Sequence, residues 1–181
     1  MSPLLSARLN ALGLLAISLV LVAAFADQLL FGELPCPLCI MQRVGFVAVG
    51  LGLALNLRFG PRPSHYAVMI LSAAAGGVIS VRQVLLHIVP GTGTYGSALF
   101  GMHYYTWAAV LAAAIIVGAA LMLMFERQFT EGGTADGPLV GLSLAIFALA
   151  TLLAFGNGVS TVLICGFTEC PDNPTSYLLL R

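Results

Sequence analysis

Charge is what this sequence has least of. Only 8% of its 181 residues are Asp, Glu, Lys or Arg, against roughly 25% in an ordinary soluble domain, which excludes a water-soluble globular chain. Lysine is absent: all seven cations are arginines, and seven carboxylates balance them to a net charge of zero. With no excess of either sign, the composition gives no reason to expect nucleic acid or an acidic partner. No internal repeat and no soluble domain is evident, and the chain holds one tryptophan and four cysteines.

What fills the sequence is apolar side chain, 60% of all residues. A bilayer crossing takes about 20 residues of helix. Apolar runs near residues 9–30, 40–57, 66–89, 104–125 and 138–155 supply five, joined by the Gly- and Pro-marked connections "RFGPRPS", "VPGTGTYG" and "EGGTADGP". The expected fold class is all-α, a polytopic helix bundle in a lipid bilayer.

Arginine position sets the orientation. With the N-terminus in the cytoplasm, Arg8, Arg58, Arg62 and Arg127 lie inside and only Arg181 lies outside. This predicts a cytoplasmic N-terminus and a C-terminus on the outer face. Trp107, Tyr104 and Tyr105 are then expected as an interfacial belt at the outer end of the fourth span. "AFA" before Asp27 resembles a signal-peptidase site, but the preceding apolar run is long for a signal peptide, so a retained first span is expected.

The cysteines form two pairs, Cys36 with Cys39 between spans one and two, and Cys165 with Cys170 after span five. An odd number of crossings precedes each pair, which puts both on the outer, oxidising face. Four thiolates can hold zinc, but that face beside lipid is an unpromising place for a zinc ribbon, and no metal is expected. An inert staple is the second alternative, yet a bridge across two intervening residues removes little unfolded-state entropy. Redox exchange is the third. Pro37 suits a first helical position, placing Cys36 at an N-cap and Cys39 in the first turn, where the helix dipole favours thiolate.

Arg43 lies four residues beyond Cys39, on the same helical face and a turn deeper. Intramembrane ionisable groups are functional candidates by default, with snorkelling to the interface as the alternative. Arg82 is expected about 10 Å below the outer end of span three at 1.5 Å per residue, where pairing, snorkelling or a direct role are all open. His87 and His103 are expected as interfacial rings and His65 as a solvated one. Asp27 and Glu33 flank the end of span one, within possible reach of Arg43 or Arg82. Glu126, Glu131 and Asp136 are expected in a solvated loop.

The stretches "PCPLCIMQR" at 35–43, "RQVLLHIVP" at 82–90 and, more weakly, "GMHYYTWA" at 101–108 resemble the disulfide bond formation protein B (DsbB) family over roughly residues 9–125. Those proteins are membrane quinone reductases that reoxidise a periplasmic thiol oxidase. The resemblance implies a DsbB-like four-helix core at 1–125, and leaves 126–181 for a cytoplasmic loop, a fifth span and a periplasmic cysteine-containing tail. It implies a protein-disulfide oxidoreductase with membrane quinone, ubiquinone or menaquinone, as acceptor and a periplasmic DsbA-like thiol oxidase of thioredoxin fold as partner. Cys36 and Cys39 would be the catalytic pair, with Cys39 beside the quinone ring, Arg43 polarising a quinone oxygen, and Arg82 and Gln83 in the quinone-lining segment.

The chain departs from that pattern in one respect. Family members usually carry a second cysteine pair between spans three and four, but residues 89–103 hold none. The expectation is that Cys165 and Cys170 of "CGFTEC" act as the shuttle pair instead. Residues 156–164 would extend up to about 30 Å to reach the first pair at 3.3 Å per residue, or lie along the interface. An inert terminal staple is the alternative for this pair. For the whole chain the alternatives are a vitamin K epoxide reductase-like oxidoreductase, whose pair near quinone lies late in the bundle, and a non-catalytic scaffold with structural disulfides.

Overall fold

A computed structural model describes residues 1–130 and 139–180. Its elements are α1 (Pro3–Leu30), α2 (Pro37–Phe59), α3 (Pro63–His87), β1 (Ala98–Leu99), β2 (Met102–His103), α4 (Tyr104–Leu123), α5 (Arg127–Thr130) and α6 (Leu139–Cys165), with a 3-10 turn at Leu178–Leu180. Five of these helices are long and apolar enough to cross a membrane, in agreement with the all-α polytopic bundle read from the sequence. Glu131, Asp136 and Arg181 lie outside the described residues; Glu126 is exposed.

Proline opens each of the first three helices, where its missing N–H costs nothing and its fixed φ is already helical. Helix α2 is central, packing on α1 and α3, while α3 carries α4 and α6 lies against α1 and α2. The core runs through Leu14, Ile17 and Leu21 of α1, Phe46, Val49 and Leu53 of α2, Tyr66 and Met69 of α3, Ala108 of α4 and Leu153 of α6. Lipid tails are as apolar as leucine, so helices in a bilayer associate through close packing. Helices α2 and α3 do so at Gly45 and Gly76: a Cβ on Gly45 would meet the Gly76 Cα at 3.2 Å.

At the N-terminal end of the bundle, polar side chains form one buried network. Asn10 Nδ2 donates to Tyr66 OH at 3.0 Å and Asn56 Nδ2 to Asn10 Oδ1 at 2.9 Å, while Ser6 and Tyr66 both donate to Gln128 Oε1. His65 belongs here. It was expected in solvent, but it is buried with Nδ1 3.0 Å from Asn56 Oδ1, because Asn56 draws the ring into the network.

The opposite end holds both cysteine pairs and the α3–α4 connection. That connection ends in a two-stranded hairpin, Ala98 opposite His103, turned at Phe100 and Gly101 with φ of 52° and 80°, the positive values that tight hairpin turns require. Tyr95 OH donates to Leu34 O at 2.6 Å, and Ser97 donates to Glu33 through its amide at 3.0 Å and its hydroxyl at 2.6 Å. The loop is thereby tied down over the segment leading to Cys36.

Helix α6 corrects an expectation. It continues past Phe155 to Cys165, so residues 156–164 are helical rather than extended. Asn157 donates to Leu153 O at 2.9 Å and Thr161 to Asn157 O at 2.8 Å, local bonds that let polar side chains stay inside a membrane helix.

Candidate functional site

Cys36 is the N-cap of α2, and its Sγ accepts from the Cys39 amide at 3.1 Å. The two cysteines form a disulfide with Cα atoms 5.0 Å apart. Cys36 is 5% exposed, while Cys39 is half-buried and lines an adjoining cavity of about 410 Å³. Gln83, fully buried on α3, points its Nε2 at both sulfurs, 3.5 Å from Cys36 and 3.7 Å from Cys39, and its Oε1 accepts from Gln42 Nε2 at 2.8 Å. The close Gly45–Gly76 crossing brings α3 near enough for this contact.

Arg43 lines the same cavity as Cys39. Its Nη1 donates to Gln28 Oε1 at 2.7 Å and its Nη2 to Ala24 O at 2.9 Å, and the guanidinium carbon sits 5.5 Å from the centre of the Phe25 ring. A guanidinium carries five N–H donors, so these two bonds leave donors for the cavity. Neither Asp27 nor Glu33 hydrogen-bonds to it: Asp27 accepts from Tyr104 OH at 3.5 Å and Glu33 from Ser97. The Ser97 bonds hold the Glu33 carboxyl below its ordinary pKa, and burial, with Glu33 nearby, pushes the Tyr95 phenol up.

The cavity lies between α1, α2 and α4 under the 95–100 loop. Its walls include Val20, Leu21, Phe46 and Leu111, with Gln42 beside Arg43. Trp107, Tyr104 and Tyr105, expected as an interfacial belt, also wall it. Trp107 Nε1 donates to Leu99 O at 2.9 Å, and buried Tyr105 stacks on His103 at 5.3 Å with His87 at 5.5 Å. The two histidines also brace the loop, Nδ1 of His87 against Gly93 O and of His103 against Gly96 O.

Cys165 and Cys170 form the second disulfide, Cα atoms 4.4 Å apart. Buried Cys165 and Ile164 pack with Leu34 and Ile40, and Cys170 and Tyr177 lie against the same cluster. Leu34 and Ile40 flank the first pair in sequence, so one apolar cluster joins the surroundings of both disulfides. Arg82, in contrast, is exposed on α3 and lines no part of the cavity. Gln83, next to it, meets the sulfurs rather than the cavity wall.

The model of the family "Disulfide bond formation protein DsbB" matches residues 6–157. The chain belongs to the DsbB family. Among relatives named "Disulfide bond formation protein B", that of Azoarcus sp. (strain BH72) is 38% identical over 123 residues, 64% of this chain and 66% of its own. That of Xanthomonas euvesicatoria pv. vesicatoria is 39% identical over 84 residues, 44% and 49% of the two chains, and that of Aromatoleum aromaticum 40% identical over 60 residues, 31% and 36%. The similarity thus spans about a third to two thirds of these relatives' length. No solved structure matches the chain. The DsbB match ends before Cys165 and Cys170, so the second pair lies outside the matched residues.

Two site residues were not legible in the sequence. Gln28 and Gln42 sit inside apolar runs, where a lone amide signals a buried partner without naming it.

Proposed function

We propose that this DsbB-family protein is a quinone-dependent thiol oxidase of the bacterial inner membrane, with its N-terminus in the cytoplasm and both disulfides facing the periplasm. The observation that carries this reading is the cavity wall shared by Cys39 and Arg43. Its apolar sides suit an isoprenoid quinone. Quinone bound there takes up two electrons and two protons to become quinol.

The chain's residues would act in sequence. A reduced periplasmic oxidase of thioredoxin fold attacks the Cys165–Cys170 disulfide, leaves as its own disulfide, and hands over two electrons as a pair of thiols. Thiol–disulfide exchange passes them to Cys36 and Cys39, reforming Cys165–Cys170, and the Cys39 thiolate delivers them to the acceptor. Net, two donor thiols and one quinone become one disulfide and one quinol. Packing of Cys165 against Ile40, beside Cys39, supports the exchange. Arg43 offers spare N–H donors to a quinone oxygen as negative charge develops, the arrangement that stabilises such a transition state. Gln83 holds the sulfurs in place, and Gln42 orients Gln83. In domain terms, residues 1–125 would hold the acceptor site and 126–181 the donor-facing pair.

The test is quinone reduction by the purified protein given a reduced thioredoxin-fold donor. Quinol formation is expected, and none with any such donor would favour a scaffold. With Cys165 and Cys170 both replaced by serine, turnover with the protein donor should stop while small thiols still reduce Cys36–Cys39. Unchanged turnover would remove the shuttle role.

A further inference from the structure

Gln28 sits near the C-terminal end of α1, 3% exposed, and every polar atom of its amide is used. Oε1 accepts from Arg43 Nη1 at 2.7 Å, while Nε2 donates to Ser160 Oγ at 2.8 Å and to Tyr177 OH at 3.0 Å. Four segments therefore meet at one side chain: α1, α2, α6 and the tail. Ser160 precedes Cys165 by five residues and Tyr177 follows Cys170 by seven, so the two hydroxyls bracket the second disulfide. Phe25, 5.5 Å from the guanidinium carbon, lines with Gln28, Ser160 and Tyr177 an open groove of about 430 Å³.

The chemistry fixes which way the amide points. A guanidinium only donates, so it needs the amide oxygen, whereas a hydroxyl accepts from the amide nitrogen. Ser160 and Tyr177 together occupy both N–H donors of Nε2 and hold Oε1 toward Arg43. Without them the amide is free to turn, and its NH₂ would meet the guanidinium donor to donor. The fifth helix and the tail thus bear on the direction of Arg43 without touching the cavity.

We infer that α6 and the C-terminal tail complete the acceptor site from outside: Ser160 and Tyr177 lock the Gln28 amide, and Gln28 aims Arg43 at the cavity. The three are positioning residues. This rests on the quinone reading above. It gives the fifth helix a part in the acceptor step, separate from carrying the second cysteine pair.

The experiment uses the purified full-length protein in detergent, dithiothreitol as reductant and a one-isoprene ubiquinone analogue as acceptor, with KM and kcat measured separately. Loss of one hydrogen bond in Tyr177→Phe or Ser160→Ala should lower kcat about five-fold, with the quinone KM changed less. Gln28→Leu should lower kcat further, while Gln28→Glu, which still accepts from Arg43, should stay within about two-fold of wild type. That rescue separates aiming Arg43 from merely filling space. Where Gln28→Leu fails to fold, the two hydroxyl variants carry the test alone. Wild-type kcat in Tyr177→Phe and Ser160→Ala, or a Gln28→Glu protein as impaired as Gln28→Leu, overturns the inference while quinone reduction stands. A wild-type protein that reduces no quinone overturns the functional reading and this inference with it.

Discussion

Replacing Arg43 by methionine keeps most of the apolar stem and removes the guanidinium, and the structure separates what that does to folding from what it does to chemistry. Folding loses two charge-assisted bonds: buried Gln28 Oε1 is left without the Arg43 donor, a cost of about 1–3 kcal/mol, while Ala24 O, a half-buried helix carbonyl, adds little. It also loses the stacking over Phe25, worth about 0.5–2 kcal/mol. Against these stands relief from holding a cation in the bilayer, about 2.5–3.5 kcal/mol on insertion scales. The opposing terms are of similar size, so the variant should fold and its thermal midpoint should fall only modestly. Quinone reduction has no such offset, because a charge aimed at a developing anion is worth about 10²–10³ in rate. Absorbance-followed quinone reduction with dithiothreitol should therefore slow by roughly a hundred-fold or more, while the Cys36–Cys39 disulfide still opens. Turnover within about three-fold of wild type in a folded variant would refute this and leave Arg43 as an anchor between α1 and α2.

Gln83→Leu strands the Nε2 of buried Gln42 and should cost about 1–3 kcal/mol, read as a lower melting midpoint in detergent. Adding Gln42→Leu removes the stranded group and should restore most of the loss; a double variant no better than the single one contradicts the pairing. Gly45→Ala should also destabilise, by about 1–3 kcal/mol, since its Cβ would press on the Gly76 backbone at 3.2 Å, whereas Gly118→Ala, which meets nothing within 4 Å, should not. Equal melting midpoints for the two variants would count against the close helix crossing. The Glu33 carboxyl, depressed chiefly by the Ser97 hydroxyl, binds protons less readily folded than unfolded. Its hold on the loop is then complete above the ordinary carboxylate pKa near about 4.3 and is lost as pH falls through the lower folded value. Hydrogen exchange at the Ser97 amide should rise in that acid range beyond its intrinsic pH dependence and lose the added response in Glu33→Gln; a wild-type profile matching Glu33→Gln would contradict it.

The spans and the Cys36 cap were legible because both are local. Apolar length reports a membrane helix, and Cys-Pro at a helix start reports a cap, as the Cys39 amide bond to Cys36 Sγ bears out. Which face a polar residue takes is not local. Arg82 and Gln83 are neighbours in sequence but about 100° apart around the helix, so one is exposed and the other meets the disulfide. The end of α6 was placed too early because apolar length alone does not show that a polar residue can stay in the helix, as Asn157 does by bonding back to Leu153 O. His65 went astray for a related reason: its burial depends on Asn56 and Asn10, which come from two other helices. Gln28 was invisible because its partners lie 15, 132 and 149 residues away.

The electron route stands or falls on direct exchange between the two pairs. Two chains test it, each with Cys39 replaced by serine and either Cys165 or Cys170 replaced as well, so that Cys36 and one tail thiol remain. After mild oxidation and digestion without reductant, mass spectrometry should recover, from monomeric protein, a peptide linking Cys36 to the remaining tail cysteine in at least one chain. If both chains are folded and yield only separately alkylated thiols, the tail pair does not feed the first, and the account of this protein as a two-disulfide relay is wrong.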